Sequence, residues 1–532
     1  MAHSDVDSPV DTLDLKIPQL IHQIDSTDIN VLRESVSSVR KALSIEKNPP
    51  IDYVIKYGFV PRLIQLLHFD DPVIQEEAAW ALTNIASGSQ QNTYSVVNLN
   101  IIPTLASLLS SPHPRIVDQS IWGLGNIAGD SVALRNLVLE QDVLPALLGI
   151  FEKHSRNTNI LRNACWALSN LFRGKPLSDS HYAELALPTI ARLLYLQDQD
   201  ALCDVLWCIS YVSDTTNERM QKVLDCNVVG VLIGILTKAE RPLVSPALRT
   251  LGNFLTGDDI QTQTVLNHGA LAVLAKLLAN PKAEIRKEVC WCISNITSGN
   301  RAQIQQVIDS GILPTVVEHL LTDTAAVKKE AIWAISNACC GSSAEQIKYL
   351  VEIGSIPALV AGSKLADDIT KVALEGLHYI AKAGDVPSSS SSSLTPSENA
   401  YKSIFKDSLR SLQQALIPHE SRHLFHSILS MMGENIEEYD LSDASDEEFE
   451  MYDDVDVEVL SPALVLDEDE DEVTDYSISG GEDEDDEEDE DEDEDEEDVN
   501  EEDVAGLDEL VDDFTNTVVI KTKQINQNNN NH

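Results

Sequence analysis

Six tryptophans occur in 532 residues, and each opens a copy of one phrase. "WALTNIASG" begins at Trp80, "WGLGNIAGD" at Trp122, "WALSNLFRG" at Trp166, "WCISYVSDT" at Trp207, "WCISNITSG" at Trp291 and "WAISNACCG" at Trp333. Five of the six place an asparagine four residues later: Asn84, Asn126, Asn170, Asn295 and Asn337. Four residues on a helix bring the pair onto one face, a turn apart. A core explains a tryptophan but not an asparagine, which is costly to bury unpaired. An amide offers one acceptor and two donors, enough to hold the C=O and N–H of an extended peptide. Neighbouring indoles form slots for the alkyl stems and cationic heads of Lys or Arg. Acids stand at two offsets from the tryptophans. Asp130 lies eight beyond Trp122, and Asp204, Glu288 and Glu330 lie three before Trp207, Trp291 and Trp333. The expected ligand is an extended basic peptide.

The elements that must carry this ladder follow from its spacing. Successive steps from Trp80 to Trp207 are 42, 44 and 41 residues, and Trp291 and Trp333 are 42 apart. Midway along the intervening 84 residues, "RTLGNFLTGDD" puts Arg249 and Asn253 in the two slots, and Leu374 and His378 take them after Trp333. A period near 42 indicates a helical solenoid of armadillo or HEAT type. Within one period, Ile102, Leu105, Leu108 and Leu109 follow helical spacing, as do Ile116, Ile121, Leu124 and Ile127. Pro61, Pro103, Pro145, Pro188, Pro314 and Pro357 mark the start of a middle helix. A short, a middle and a longer helix make an armadillo unit, which buries its apolar face only by stacking on its neighbours. The expected fold is all-α, a right-handed superhelical solenoid with a disordered acidic C-terminal tail.

Composition divides the chain. Residues 1–28 form an N-terminal segment, 29–384 the repeats, 385–399 a Ser-rich loop ("VPSSSSSSLTPS") and 400–436 a helical cap. Residues 437–513 hold 43 of the 88 acidic residues with no Lys or Arg, and 514–532 form an Asn-rich terminus. Such an acidic block repels itself and is expected to be disordered. Of the net charge of −51, the first 436 residues carry −10. An acidic body argues against direct nucleic-acid binding, and no apolar run approaches a membrane span. The eight cysteines lie within the repeats and lack zinc-ligand spacing with a nearby His. They read as buried free thiols, and His419, His423 and His426 as solvated. No metal, no cofactor and no catalytic constellation is expected, so the chain is not read as an enzyme.

The phrases themselves carry a resemblance. "NPPIDYVI", "WALTNIASG", "WGLGNIAGDS", "ALSNLFRGK", "ISYVSD", "VSPALRTLGNFLTGDDIQTQ", "WCISNITSGNRAQIQ" and "GSSAEQIKYLVEIG" resemble importin-α (karyopherin-α), the armadillo adaptor for nuclear localization signals. The resemblance spans about residues 40–384 and is looser over 401–434. It implies a major signal site at Trp80/Asn84, Trp122/Asn126 and Trp166/Asn170, extending to Trp207. It also implies a principal lysine held by the Gly88 carbonyl, Thr93 and Asp130, with Asp204 on a neighbouring basic residue. A minor site is implied at Trp291/Asn295 and Trp333/Asn337, with Glu288 and Glu330 as acids. Arg249/Asn253 and Tyr211 interrupt the ladder between the two sites, and a bipartite signal would engage both. The implied function is nuclear import of proteins carrying basic signals, shared between cytoplasm and nucleus. The implied partners are those proteins, importin-β, and an export receptor docked by the last repeat. The family's Arg/Lys-rich N-terminal segment for importin-β has no counterpart in residues 1–40, whose bases are Lys16, Arg33 and Arg40. That departure sets a second expectation: a binder acting without importin-β, as competitor, retention factor or acidic chaperone of basic proteins.

Overall fold

The structure is a computed structural model that describes residues 19–238, 242–385, 399–413 and 417–435. The expected acidic tail and Asn-rich terminus lie outside the described residues, as do most of the Ser-rich loop and of the N-terminal segment. Every described element is helical.

Each repeat ends in a long helix. These run Pro72–Ala86, Pro114–Asp130, Thr158–Asn170, Gln199–Ser213, Val244–Leu255, Ala283–Thr297, Ala325–Gly341 and Asp367–Gly384. Each packs on the next, so the long helices form one continuous layer. The helix Ile29–Leu43 precedes Pro72–Ala86 in that layer, and Arg422–Met432 follows Asp367–Gly384. The core is a column of Leu, Ile, Val and Ala shared between neighbours. Its small members, such as Ala78, Ala79, Ala164 and Ala331, are fully buried. The described residues form an all-α armadillo solenoid.

A hinge residue separates the two shorter helices of most repeats. Gly58, Asn100, Asp142, Asn227, Gly269, Gly311 and Gly354 all take a left-handed backbone, with φ between 56° and 92°. Glycine, asparagine and aspartate tolerate this conformation best. The repeat containing Pro188 has no such residue, and there the structure departs from the expected helix start. Pro188 lies inside one continuous helix, Ser180–Leu193, which replaces the short and middle pair. The other prolines fall within the first three positions of Phe59–Leu66, Ile101–Leu108, Val143–Lys153, Leu313–Thr322 and Ser355–Gly362.

Polar side chains tie repeat to repeat. Gln261, Gln303 and Gln346 close capping boxes in their own repeats. Their Nε2 atoms also donate across to the carbonyls of Asn217, Asp259 and Arg301, at 2.7, 2.8 and 2.9 Å. Arg135 is fully buried in the same column. Its guanidinium donates to the carbonyls of Arg173 (2.7 Å), Gly174 (2.8 Å) and Pro176 (2.7 Å), anchoring the segment that follows the Trp166 helix. Burial lowers its pKa from the ordinary arginine value. Arg135→Met leaves three carbonyls without this donor, at about 1–3 kcal/mol for each that stays dry. A clear drop in melting temperature is expected, with faster amide exchange through residues 171–177. An unchanged melt would mean other contacts hold that segment.

All eight cysteines are free; five are buried and Cys203, Cys226 and Cys340 are half-buried. Burial pushes the thiols of Cys165, Cys208, Cys290, Cys292 and Cys339 upward, so they act as small packing residues.

Candidate functional site

The slot residues fall one above another along the layer of long helices. All six tryptophans are half-buried. What lies beneath an indole is the small residue three positions after the preceding slot. A Cβ on Gly125 would sit 2.3 Å from the Trp166 ring, and one on Gly252 would sit 2.1 Å from the Trp291 ring. The other slots carry Thr83, Ser169, Ser210, Ser294 and Ser336 at that position. At Gly125 and Gly252 the phrase therefore reserves room for the next indole.

The asparagines are more deeply placed than a free groove lining requires. Asn170, Asn253, Asn295 and Asn337 are 3–6% exposed, while Asn84 and Asn126 are half-buried. Their amides bind the preceding repeat. Nδ2 of Asn126 donates to the Thr83 carbonyl (3.2 Å), Asn170 to Gly125 (3.2 Å), Asn253 to Ser210 (2.9 Å) and Asn337 to Ser294 (3.1 Å). Asn84 donates to Ser44 Oγ at 3.0 Å. For Asn84, Asn126, Asn170 and Asn337 one donor is thus used internally, which leaves a second N–H and the Oδ1 for a ligand, whereas the Asn253 Nδ2 also donates to Ser213 Oγ at 3.1 Å. Asn295 differs: both its amide atoms are buried without a hydrogen-bond partner.

The acids fall into two groups. Glu288 is not open as expected. Arg249 binds it in a fork, Nε–Oε2 3.0 Å and Nη2–Oε1 2.6 Å, with its Cζ 5.7 Å from the Trp291 ring centroid. A second arginine does the same at the start of the ladder. Arg40 binds Glu77 through Nε–Oε2 2.8 Å and Nη2–Oε1 3.1 Å, and its Cζ lies 4.3 Å from the Trp80 ring centroid. Sequence reasoning passed over both Arg40 and Glu77. Yet Glu77 stands three before Trp80, the offset of the other acids, and Arg40 stands 40 before it, the slot position of the preceding layer.

Asp204 and Glu330 stand at the same offset without such an arginine. The Glu330 Oε2 is buried with no hydrogen-bond partner. Burial, then the charge of Glu288, pushes Glu330 up to about 7. Burial, then Asp200, does the same to Asp204, also to about 7. Asp130 ends its helix half-buried. Its Oδ1 lies 3.2 Å from Thr93 Oγ1, and its Oδ2 accepts from Gln90 Nε2 at 3.3 Å. Thr93 is fully buried, so in this structure its hydroxyl braces Asp130 and also reaches the Ala86 carbonyl (3.1 Å). Gly88 is half-buried one repeat away from Asp130, at the corresponding offset from Trp80. Tyr211 occupies the Asn position after Trp207 and stacks on that indole, with centroids 6.0 Å apart.

These features define an armadillo solenoid with a ladder of tryptophans, buried amides and acids. The armadillo/beta-catenin-like repeat model matches residues 47–87, 89–129, 131–173, 258–298 and 300–340. Over about half of its length the chain is similar to importin-α subunits. It is 45% identical over 253 residues to importin subunit alpha-1a of Oryza sativa subsp. japonica, covering 47% of this chain and 48% of that protein. It is likewise 45% identical over 255 residues to importin subunit alpha-B of Dictyostelium discoideum, covering 48% and 49%. The chain thus spans about half the length of the curated relatives it matches. The crystal structure of an engineered protein shares the fold at a TM-score of 0.70 and 24% identity, over 79% of this chain and 99% of that one.

Proposed function

We propose that the chain is a nuclear import adaptor whose ladder binds extended basic localization signals and which catalyses no reaction. The observation that carries this reading is the pair of internal arginines. Arg40 on Trp80 and Glu77, and Arg249 on Trp291 and Glu288, each place a cation over an indole and against the acid three residues before it. Glu330 beside Trp333 and Asp204 beside Trp207 repeat the indole and acid without that arginine. The same chemistry there favours a Lys or Arg from another chain. The orphaned amide of Asn295 suits the backbone of that ligand, since a buried polar pair without partners is costly until something bonds it.

The major site in this reading comprises the Trp80, Trp122, Trp166 and Trp207 slots with Asp130 and Asp204. The minor site comprises Trp291 and Trp333 with Asn295, Asn337 and Glu330. Glu288 and Arg249 act as a fixed pair between them, and a bipartite signal gains effective concentration by filling both. Importin-β, an export receptor, and passage between cytoplasm and nucleus belong to the same proposal, on the ground of the similarity to importin-α subunits.

A cation on an exposed to half-buried indole is worth about 0.5–2 kcal/mol. Trp122→Ala combined with Trp166→Ala is therefore expected to weaken a labelled single-cluster lysine peptide by about tenfold to several hundredfold, more than either change alone. Fluorescence anisotropy measures the affinity, and circular dichroism checks that helix content is retained. Unchanged affinity in a folded double variant would remove these slots from the site.

A further inference from the structure

We infer that Arg40 is an internal ligand that closes one end of the groove, and so sets how many basic residues a bound peptide can lodge there. The inference rests on the groove reading above and specifies its register.

Arg40 and Ser44 occupy the Trp and Asn positions of the helix Ile29–Leu43. Arg40 stands 40 residues before Trp80, and Ser44 Oγ receives the Asn84 amide at 3.0 Å. The layer therefore continues on the N-terminal side of Trp80, with a cation where another indole would be. That cation is held on three sides: the Trp80 face at 4.3 Å and both carboxylate oxygens of Glu77. Arg40 and Glu77 are 16% and 15% exposed, so the fork is largely withdrawn from water. A two-bond fork of this kind is stronger and more directional than a single contact. A peptide lysine arriving at this face of Trp80 would have to displace it.

Arg249, Glu288 and Trp291 form the same triplet ahead of the second run of tryptophans. Each run of indoles thus begins one layer after an arginine that fills its first face. The open slots are then Trp80/Trp122, Trp122/Trp166 and Trp166/Trp207 in the first run, and Trp291/Trp333 in the second. A basic stretch extended beyond the Trp80/Trp122 slot finds a filled position and gains no further indole contact.

The test compares a labelled single-cluster lysine peptide with two versions lengthened by two lysines, one at each terminus. Lengthening by two returns a side chain to the same face of an extended chain. With the parent protein, lengthening is expected to change affinity by less than about twofold at 0.15 M salt, where exposed charges are screened. Arg40→Ala opens the indole face and the Glu77 carboxylate. It is expected to raise affinity for one of the two longer peptides by about fivefold while leaving the short one unchanged. Arg40→Gln, which keeps a stem against the indole, carries the same expectation should the alanine variant melt early. Adding Glu77→Gln should cancel the gain. Equal gains for all three peptides, or none, would overturn the role of Arg40. Failure of the parent to bind any of them would instead overturn the groove reading, and this inference with it.

Discussion

Asp130→Lys is expected to abolish most of the affinity for a single-cluster basic peptide while leaving the solenoid folded. The carboxylate sits at the last position of the helix Pro114–Asp130, where the helix dipole disfavours a negative charge. An acid held there against the local preference is best explained by the cation it meets. A charge-assisted hydrogen bond is worth about 1.5–3 kcal/mol, or roughly tenfold to more than a hundredfold in affinity. Reversing the charge adds repulsion, so the loss should exceed a hundredfold. The fold has little to lose. Thr93 keeps the Ala86 carbonyl as an acceptor at 3.1 Å, so its hydroxyl is not stranded. Lysine at a helix C-terminus is favourable in its own right, and the melting temperature should hold or rise slightly. Anisotropy against a labelled lysine peptide, with a melt on the same sample, gives both quantities. Affinity within about twofold of the parent would take Asp130 out of the site.

The structure explains why some features were legible and others were not. The ladder could be read because its period and its residue types coincide: every tryptophan is the ninth residue of one of the long helices that stack. The asparagines were read only as groove residues. Their second role depends on a carbonyl 43–45 residues away, such as Thr83 for Asn126 or Gly125 for Asn170, and no local pattern announces that bond. The small residue before each Asn, or before Tyr211, was a visible sign of close approach between layers, since Thr83, Gly125, Ser169, Ser210, Gly252, Ser294 and Ser336 all stand there. Pro188 misled for a similar reason. A proline marks a helix start only where a left-handed hinge stands three residues before it, and Pro188 has none there. Arg40 and Glu77 escaped because the slots were found by their tryptophans, and a slot filled by an arginine does not look like one. Glu288 was taken as a free acid because its partner, Arg249, lies 39 residues earlier on another helix.

Binding of a basic peptide should weaken as the pH falls from 8 to 6, while the free protein does not become less stable through the same two carboxyls. Glu330 and Asp204 are both held at about 7, far above an ordinary carboxyl, chiefly by burial. Glu288 adds to the effect at Glu330, opposed by Lys287, Lys329 and Arg249, and Asp200 adds to it at Asp204. A lysine seated beside either acid favours its charged form, as Arg33 does for Asp71, whose pKa lies below the usual carboxylate range. Peptide binding therefore requires the carboxylate and releases a proton wherever the free acid holds one. One unit of pKa corresponds to about 1.4 kcal/mol. A peptide that uses only the Asp204 slot should lose about tenfold from pH 8 to 6, and one that also fills the Glu330 slot about a hundredfold. Stability runs the other way for these two groups. Their folded pKa values exceed the unfolded ones, so the folded chain holds more protons between about pH 4 and 7, and they disfavour folding as pH rises through 7. Acid unfolding would lower affinity and melting temperature together, whereas titration of the slots lowers affinity alone. Asp204→Asn and Glu330→Gln should each flatten one part of the profile at the expense of affinity at pH 8. A flat profile in the parent, or a loss at pH 6 that follows a falling melt, would show that neither acid receives a cation.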